Sequence, residues 1–240
     1  MKEKIKYILQ NIFGFKNYLK VFSIFKIYTL KWDSRENDFF KFLEMLPESG
    51  LVVDAGANIG IMTYYLSKKM KKGKVISFEP MPDNFETLQF IVDFFKLKNV
   101  ELYPFAIGNE NKDIEMVMPV LGNVKQQGLT HVAELNDDTG VNHRAKMIRM
   151  ADFDPIRNAE FVGMKMDIEN YEYYALKGTE EILQKNKTLI YCEVWENEHR
   201  DKCFDLMKDL GYKIEVLIKN KLVGKDQIEH DKQNFFFVPM

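Results

Sequence analysis

Residues 51–63, LVVDAGANIGIMT, place the tightest constraint on what this chain can fold into. An apolar run ends at the acid Asp54, passes Gly56 and Gly60, and enters a helical pattern. That order reads as a buried strand, a tight turn and a crossover helix. The strand-like runs LVVDAG, KVISFEP and VELYPFAIG then alternate with the helical patterns IGIMTYYLSKKM and PDNFETLQFIVDFFKLK. Such alternation is the βαβαβ pattern of an α/β fold, a parallel sheet covered by helices.

From about residue 109 to residue 157 the periodicity breaks into short pieces, which predicts an inserted hairpin and loop region. Order returns with FVGMKMDIEN as a strand, YEYYALKGTEEILQKN as a helix, TLIYCEVW as a strand, and NEHRDKCFDLMKDLGY as a helix stopped by Gly211. YKIEVLIK and NFFFVPM close the chain as strands, adjacent in sequence and therefore expected to be antiparallel. The linkers are too short to separate independent units, so the reading is a basic helical extension over residues 1–48 and one α/β domain over residues 49–240.

Composition narrows the classes of partner. Of 240 residues 46% are hydrophobic, enough for one large core, and the net charge of -2 lacks the basic field that nucleic-acid binding needs. Two cysteines, Cys192 and Cys203, support neither a disulfide framework nor a zinc cluster. No apolar run approaches the ~18 residues that span a bilayer, and no leader pattern opens the chain. A soluble, cytoplasmic protein is expected. Residues 1–32 are the local exception: their charges are nearly all lysine, and Ile5, Ile8, Leu9, Ile12 and Phe13 share a helical face. Two readings stay open there, helices covering the core or a cleft, and a basic amphipathic segment in peripheral contact with an anionic membrane.

The glycine turn indicates a nucleotide. A dinucleotide fingerprint requires G-x-G-x-x-G, but this turn reads Gly56, Ala57, Asn58, Ile59, Gly60 and follows an acid. Asp54 would repel a pyrophosphate and favour a ligand bearing an ammonium and a sulfonium, as S-adenosylmethionine does. Turn amides are expected to hold that ligand's carboxylate, with Asn58 as helix N-cap. Glu79 ends the next strand, where a carboxylate can accept from both ribose hydroxyls. Each acid also has a plain structural reading, Asp54 as a capping acid and Glu79 as a surface residue. A nicotinamide-dependent oxidoreductase is the competing enzyme reading, weakened by the missing third glycine.

VVDAGANIGIMT, KVISFEPMPDNFETL, FAIGN, GMKMDIENYEYYALKG and IYCEVW together resemble the FkbM family of S-adenosylmethionine-dependent methyltransferases, over Leu51 to Met240. The resemblance implies a class I methyltransferase (Rossmann-like) fold with a seven-stranded sheet of order 3-2-1-4-5-7-6, outside which the N-terminal helices fall. It also implies O-methylation of a hydroxyl, on a small-molecule or glycan acceptor. Carried over by position, Asp54, Gly56, Ala57, Asn58 and Gly60 would hold the methionine end of the cofactor, Glu79 the ribose, and Met81 and Ala106 the adenine. The family's D-x-E-G-x-E element reads here Asp167, Ile168, Glu169, Asn170, Tyr171, Glu172. Asn170 stands in place of glycine, which leaves a non-catalytic S-adenosylmethionine-binding module as an alternative.

Methyl transfer to an alcohol benefits from a base near the acceptor oxygen. Asp167 ranks first for that role, then Glu169, which shares its direction if the strand persists, and then Glu193 at the end of the next strand. Glu172 suits a helix N-terminus, and Lys165 is placed to pair with Asp167. The carboxylates also admit a divalent cation, although metal is not the expected reading. His131 is the remaining candidate base, in the insertion. Phe235, Phe236 and Phe237 read as a buried strand.

Overall fold

A computed structural model describes residues 2–121, 124–133 and 140–240, with backbone alone for residues 2–5 and 121. Three helices come first: α1 (Lys2–Phe13), α2 (Phe15–Thr29) and α3 (Asn37–Met45). The parallel core follows as β1 (Leu51–Ala55), α4 (Ile61–Lys69), β2 (Lys74–Phe78), α5 (Pro82–Phe94) and β3 (Val100–Tyr103). The middle of the chain forms β4 (Phe105–Gly108), β5 (Lys112–Leu121), β6 (Val124–Lys125), β7 (His131–Val132), β8 (Gly140–Arg149) and the short α6 (Asp154–Arg157). β9 (Phe161–Met166), α7 (Glu172–Leu183), β10 (Leu189–Glu193), α8 (Arg200–Asp209), β11 (Tyr212–Ile218), β12 (Lys221–Gly224) and β13 (Asn234–Pro239) complete it.

The main sheet corrects the expected seven strands in order 3-2-1-4-5-7-6. It has eight, in the order β12-β11-β13-β10-β9-β1-β2-β3. The extra strand, β12, turns back antiparallel on β11 with Ile218 opposite Lys221. Its turn is made by Lys219 and Asn220, both left-handed with φ of 48° and 64°. That is the geometry of a two-residue hairpin turn, built without the glycine that usually announces one.

VELYPFAIG, read as one strand, is two. Pro104 has no N–H to donate and separates β3, in the main sheet, from β4, in a second sheet. The second sheet has the order β4-β8-β5-β6, with β7 on β5, and its core is the long antiparallel pair β5/β8. The inserted region is therefore a second small sheet folded against the C-terminal edge of the first.

Packing follows the two-residue alternation of the strands. Val53, Ala55, Phe235 and Phe237 face one apolar layer with α7 and α8, whereas Val52, Phe236 and Tyr191 face the other with α3 and α4. α2 buries Tyr18, Leu19, Ser23 and Ile27. Ser23 Oγ donates to Ile59 O at 2.7 Å, and Tyr65 OH donates to Ile27 O at 2.5 Å. This helix thus clamps the glycine turn from behind, while α1 reaches the insertion through Lys6 Nζ to Gln126 Oε1 at 2.8 Å. Among the described residues no helix is long and apolar enough to cross a membrane.

Gly178 of α7 lies directly on Gly108 of β4, and a Cβ there would collide with the Gly108 carbonyl oxygen. Gly178→Ala is expected to destabilise the fold by about 1–3 kcal/mol. A lower urea midpoint with unchanged slope would show it.

Candidate active site

β1 lies between β2 and β9, so the crossovers leave it in opposite directions, and a crevice opens beyond the carboxyl ends of these strands. It spans about 590 Å³ with the adjoining open solvent included. Gly56 and Asn58 line it from the first turn, Glu79 from the end of β2, and Asp167 and Glu169 from beyond β9. The second sheet covers it with Ala106, Met116 and Gln127 among others.

Asp54 does not line this crevice. Its side chain shares the face of Val52 and is fully buried, accepting a hydrogen bond from Thr63 Oγ1 at 2.6 Å. Lys165, opposite it on β9, lies 3.4 Å away through Nζ and is itself 3% exposed. The same ammonium donates to Gly56 O at 2.8 Å and stands 3.8 Å from Asp167 Oδ2. Burial works against the charged lysine, but the Asp54 and Asp167 carboxylates outweigh it and raise its pKa above the ordinary value. The charge of Asp54 is thus answered inside the protein.

The turn amides are also committed internally. Gly56 N and Ala57 N donate to Phe78 O, Gly60 N donates to Ala57 O, and Asn58 N donates to Glu79 Oε2 at 2.8 Å. Asn58 is not the N-cap: it is left-handed with φ of 49°, and Gly60, φ 81°, occupies the cap before α4. Gly56 is required for a different reason, since a Cβ would strike the Asp167 carbonyl oxygen. This contact brings the first turn and the acidic turn together.

Glu79 is 4% exposed and accepts from Asn58 N, from Met81 N at 2.9 Å and from Asn84 Nδ2 at 3.3 Å. Burial raises its pKa to about 7 despite these donors. Three amide oxygens along the same wall, Asn58 Oδ1, Asn84 Oδ1 and Gln127 Oε1, are buried without a protein donor. Buried acceptors of this kind call for a ligand or water to donate to them. A nucleoside carries hydroxyl and amine donors, so the wall fits one. Asn84 could have been found in the sequence, because it sits in the first turn of the helix that Glu79 introduces; nothing in the insertion singled out Gln127.

On the other side of the crevice β9 stops at Met166 and the chain turns. Glu169 and Asn170 are left-handed, with φ of 52° and 72°. The strand therefore does not persist, and Asp167 and Glu169 are not related by strand alternation. Asparagine tolerates the conformation that glycine would supply, and Asn197 Nδ2 donates to Asn170 Oδ1 at 2.8 Å to hold it. Glu172 opens α7 buried, accepting from Ile168 N at 3.3 Å, which ties the acidic turn to the helix start.

Burial, then the charge of Asp167, raises the Glu169 carboxyl to about 8 and the Glu193 carboxyl to about 7. Glu172 rises to about 7, chiefly by burial. Glu36, just before α3, is raised by burial too, and its charge acts on Asp167 and Glu193. The N-terminal extension thus adds an acid that the linear pattern gave no reason to place here.

The remaining candidates fall outside the lining. Met81 is buried beside Ala106 in a methionine-rich cluster. Ala57 is 4% exposed. Thr130, just before β7, and Val132 on it flank the crevice, whereas His131 between them lies off it, its Nδ1 2.9 Å from Leu129 O. Among the described residues no group of three or more His, Cys, Asp or Glu side chains is arranged to hold a metal ion.

A mixed α/β sheet with a parallel centre and a crevice at its switch point, polar acceptors on one wall and carboxylates on the other, defines a Rossmann-like domain. The family model for the methyltransferase FkbM domain matches residues 54–214, and the chain belongs to that family. Methyltransferase 1 of Beauveria bassiana is 25% identical over 151 residues, which cover 56% of this chain and 60% of that protein. Methyltransferase sdnD of Sordaria araneosa is 42% identical over 43 residues, 18% of this chain and 17% of its own length. The crystal structure of methyltransferase FkbM from Methylobacillus flagellatus KT shares the fold with a TM-score of 0.53 and 18% identity, covering 80% of this chain and 44% of that one.

Glu79, Glu169, Glu172 and Glu193 all have folded pKa values above the ordinary 4.5. The folded state therefore holds more protons than the unfolded one above pH 4.5, and stability falls as pH rises through about 7 to 8. The melting temperature of the ligand-free protein is expected to drop between pH 5.5 and 8.5, with a shallower slope in Glu169→Gln. Lys165→Met leaves Asp54 buried without its cation and is expected to destabilise by about 3–5 kcal/mol. Adding Asp54→Asn should recover part of that loss in urea titrations.

Proposed function

We propose that the chain is a cytoplasmic S-adenosylmethionine-dependent O-methyltransferase that methylates a hydroxyl of a sugar, in a glycan or a glycosylated small molecule. The observation that carries this reading is the crevice itself, with unanswered amide acceptors along one wall and Asp167 and Glu169 facing them. Membership in the FkbM methyltransferase family supports the cofactor. S-Adenosylmethionine, when bound, supplies a methyl group on a cationic sulfur that is open to in-line displacement.

The residues divide the work. Asn58, through its unanswered amide oxygen, accepts from the ammonium of the methionine end beside Gly56, and Glu79, whose oxygens keep unused lone pairs, accepts from the ribose. Ala106, with Met81 behind it, borders the adenine. The cationic end faces a carboxylate wall, so the acids favour the charged cofactor even though Asp54 is neutralised by Lys165. Asp167 orients the acceptor hydroxyl and takes its proton on a carboxylate oxygen as attack proceeds. Glu169 and Glu193 hold neighbouring hydroxyls or serve as the next proton acceptor. The second sheet covers one side of the crevice and so limits the access of water.

Aromatic rings next to the acidic turn also suit a sugar. Tyr171 and Tyr174 have ring centroids 4.7 Å apart, and Tyr173 stacks on His199 at 6.1 Å beside the acidic turn. Half-buried aromatic faces of this kind can pack against the C–H face of a sugar while carboxylates take its hydroxyls.

Calorimetry is expected to show binding of S-adenosylhomocysteine and none of NAD; the reverse result would overturn the proposal. Labelled-methyl transfer to glycan-containing extracts should give an alkali-stable O-methyl sugar. Asp167→Asn is expected to lower kcat by about two to four orders of magnitude with S-adenosylhomocysteine affinity nearly unchanged, whereas His131→Ala keeps full turnover.

A further inference from the structure

α2 is apolar on two sides. Its inner face is buried, yet Val21, Phe25, Tyr28 and Trp32, spaced by four, three and four residues, form a second strip that is 57%, 59%, 62% and 83% exposed. This spacing keeps them on one helical face that runs into the following turn. Phe94 of α5 adds another exposed ring at 54%. The rings are continuous: Tyr28 lies 6.2 Å from Phe95, which lies 5.0 Å from Phe94 and 4.6 Å from Tyr64. A contiguous uncovered apolar surface is a contact site in a folded protein, and this one lies apart from the crevice.

Cations border the same surface. Lys20 Nζ sits 5.5 Å over Phe90, Lys31 Nζ 5.9 Å over Tyr65 and Lys68 Nζ 5.5 Å over Tyr64. Lys20 also pairs with Glu86, but Lys31 and Lys68 have no carboxylate partner among the described residues. In a chain of net charge -2, residues 1–32 hold seven lysines against one acid, Glu3.

The chemistry of the occupant follows from that combination. Two copies meeting on a two-fold axis would bring the same lysines face to face, and lysine is depleted at the cores of protein interfaces. Aromatic rings and aliphatic side chains rimmed by lysine instead match an anionic bilayer, where rings enter the headgroup boundary and ammonium groups meet lipid phosphates. We propose that the α2 and α5 face rests on an anionic lipid surface, with Phe25, Tyr28, Trp32 and Phe94 entering it and Lys31 and Lys68 contacting phosphates. The surface differs from the α1 face that the residue pattern suggested, and it is independent of the methyl-transfer reading.

Co-sedimentation of the full chain with vesicles tests this directly. Binding is expected with phosphatidylcholine containing about one-third phosphatidylglycerol, not with phosphatidylcholine alone, and should weaken as salt rises. Phe25→Ser with Trp32→Ser, and separately Lys31→Glu with Lys68→Glu, should each reduce binding by about tenfold or more. Melting temperatures are expected to hold, because these side chains are exposed. Failure of the full chain to sediment with the anionic vesicles would overturn the proposal, as would undiminished binding by both double variants. So would a stable dimer in ultracentrifugation that Phe25→Ser with Trp32→Ser dissolves.

Discussion

The organisation of this molecule hangs on one buried ammonium. Lys165 joins three things that would otherwise repel or be left bare: the Asp54 carboxylate inside the sheet, the Gly56 carbonyl at the apex of the first turn, and the Asp167 carboxylate at the mouth of the crevice. Removing the Asp54 carboxylate from water is unfavourable unless a cation and hydrogen bonds answer it. Such a cluster gives less in net stability than in definition, because it fixes how β1 and β9 meet where the crevice opens. The Gly56 carbonyl is held down by the lysine, and the Asp167 carbonyl sits where a Gly56 Cβ would be.

Around that anchor the crevice has an uneven electrostatic character. One wall offers amide oxygens and a Glu79 carboxyl engaged with backbone donors. The opposite wall carries Asp167 and Glu169, and burial with the charge of Asp167 raises the Glu169 carboxyl, as it does that of Glu193 outside the lining. A cationic ligand would relieve the repulsion among these acids, and an anionic one would aggravate it. On the proposed reading, selection by charge falls to several acids acting together and not to the strand-end aspartate.

Much of the fold was legible because the central strands carry little but apolar residues and the helices between them are bounded by glycine and proline. β1 is buried at every position, and Phe235, Phe236 and Phe237 alternate between the two layers as a central strand must. Illegible features had physical reasons. Pro104 divides a run that looks continuous, and Lys219 with Asn220 makes a hairpin turn without glycine. Gly56, Glu79, Asp167 and Glu169 all line the crevice, where the strand ends of the sequence pattern converge. The direction of the Asp54 side chain was readable in principle, since it alternates with Val53 and Ala55 onto the layer of Val52, but a strand-end acid invites the simpler assumption that it faces the ligand. Glu36 and Gln127 could not be located, because their proximity to the site is created by tertiary folding.

The hydrogen bond from Ser23 to the Ile59 carbonyl and that from Tyr65 to the Ile27 carbonyl cross between the leading helices and the glycine turn. Stripping α2 away would strand a hydroxyl and a carbonyl of the turn and lay bare the apolar side of α4. The leading helices and the crevice are accordingly one cooperative piece of architecture, so whatever α2 leans on from outside is mechanically in series with the first turn of the crevice.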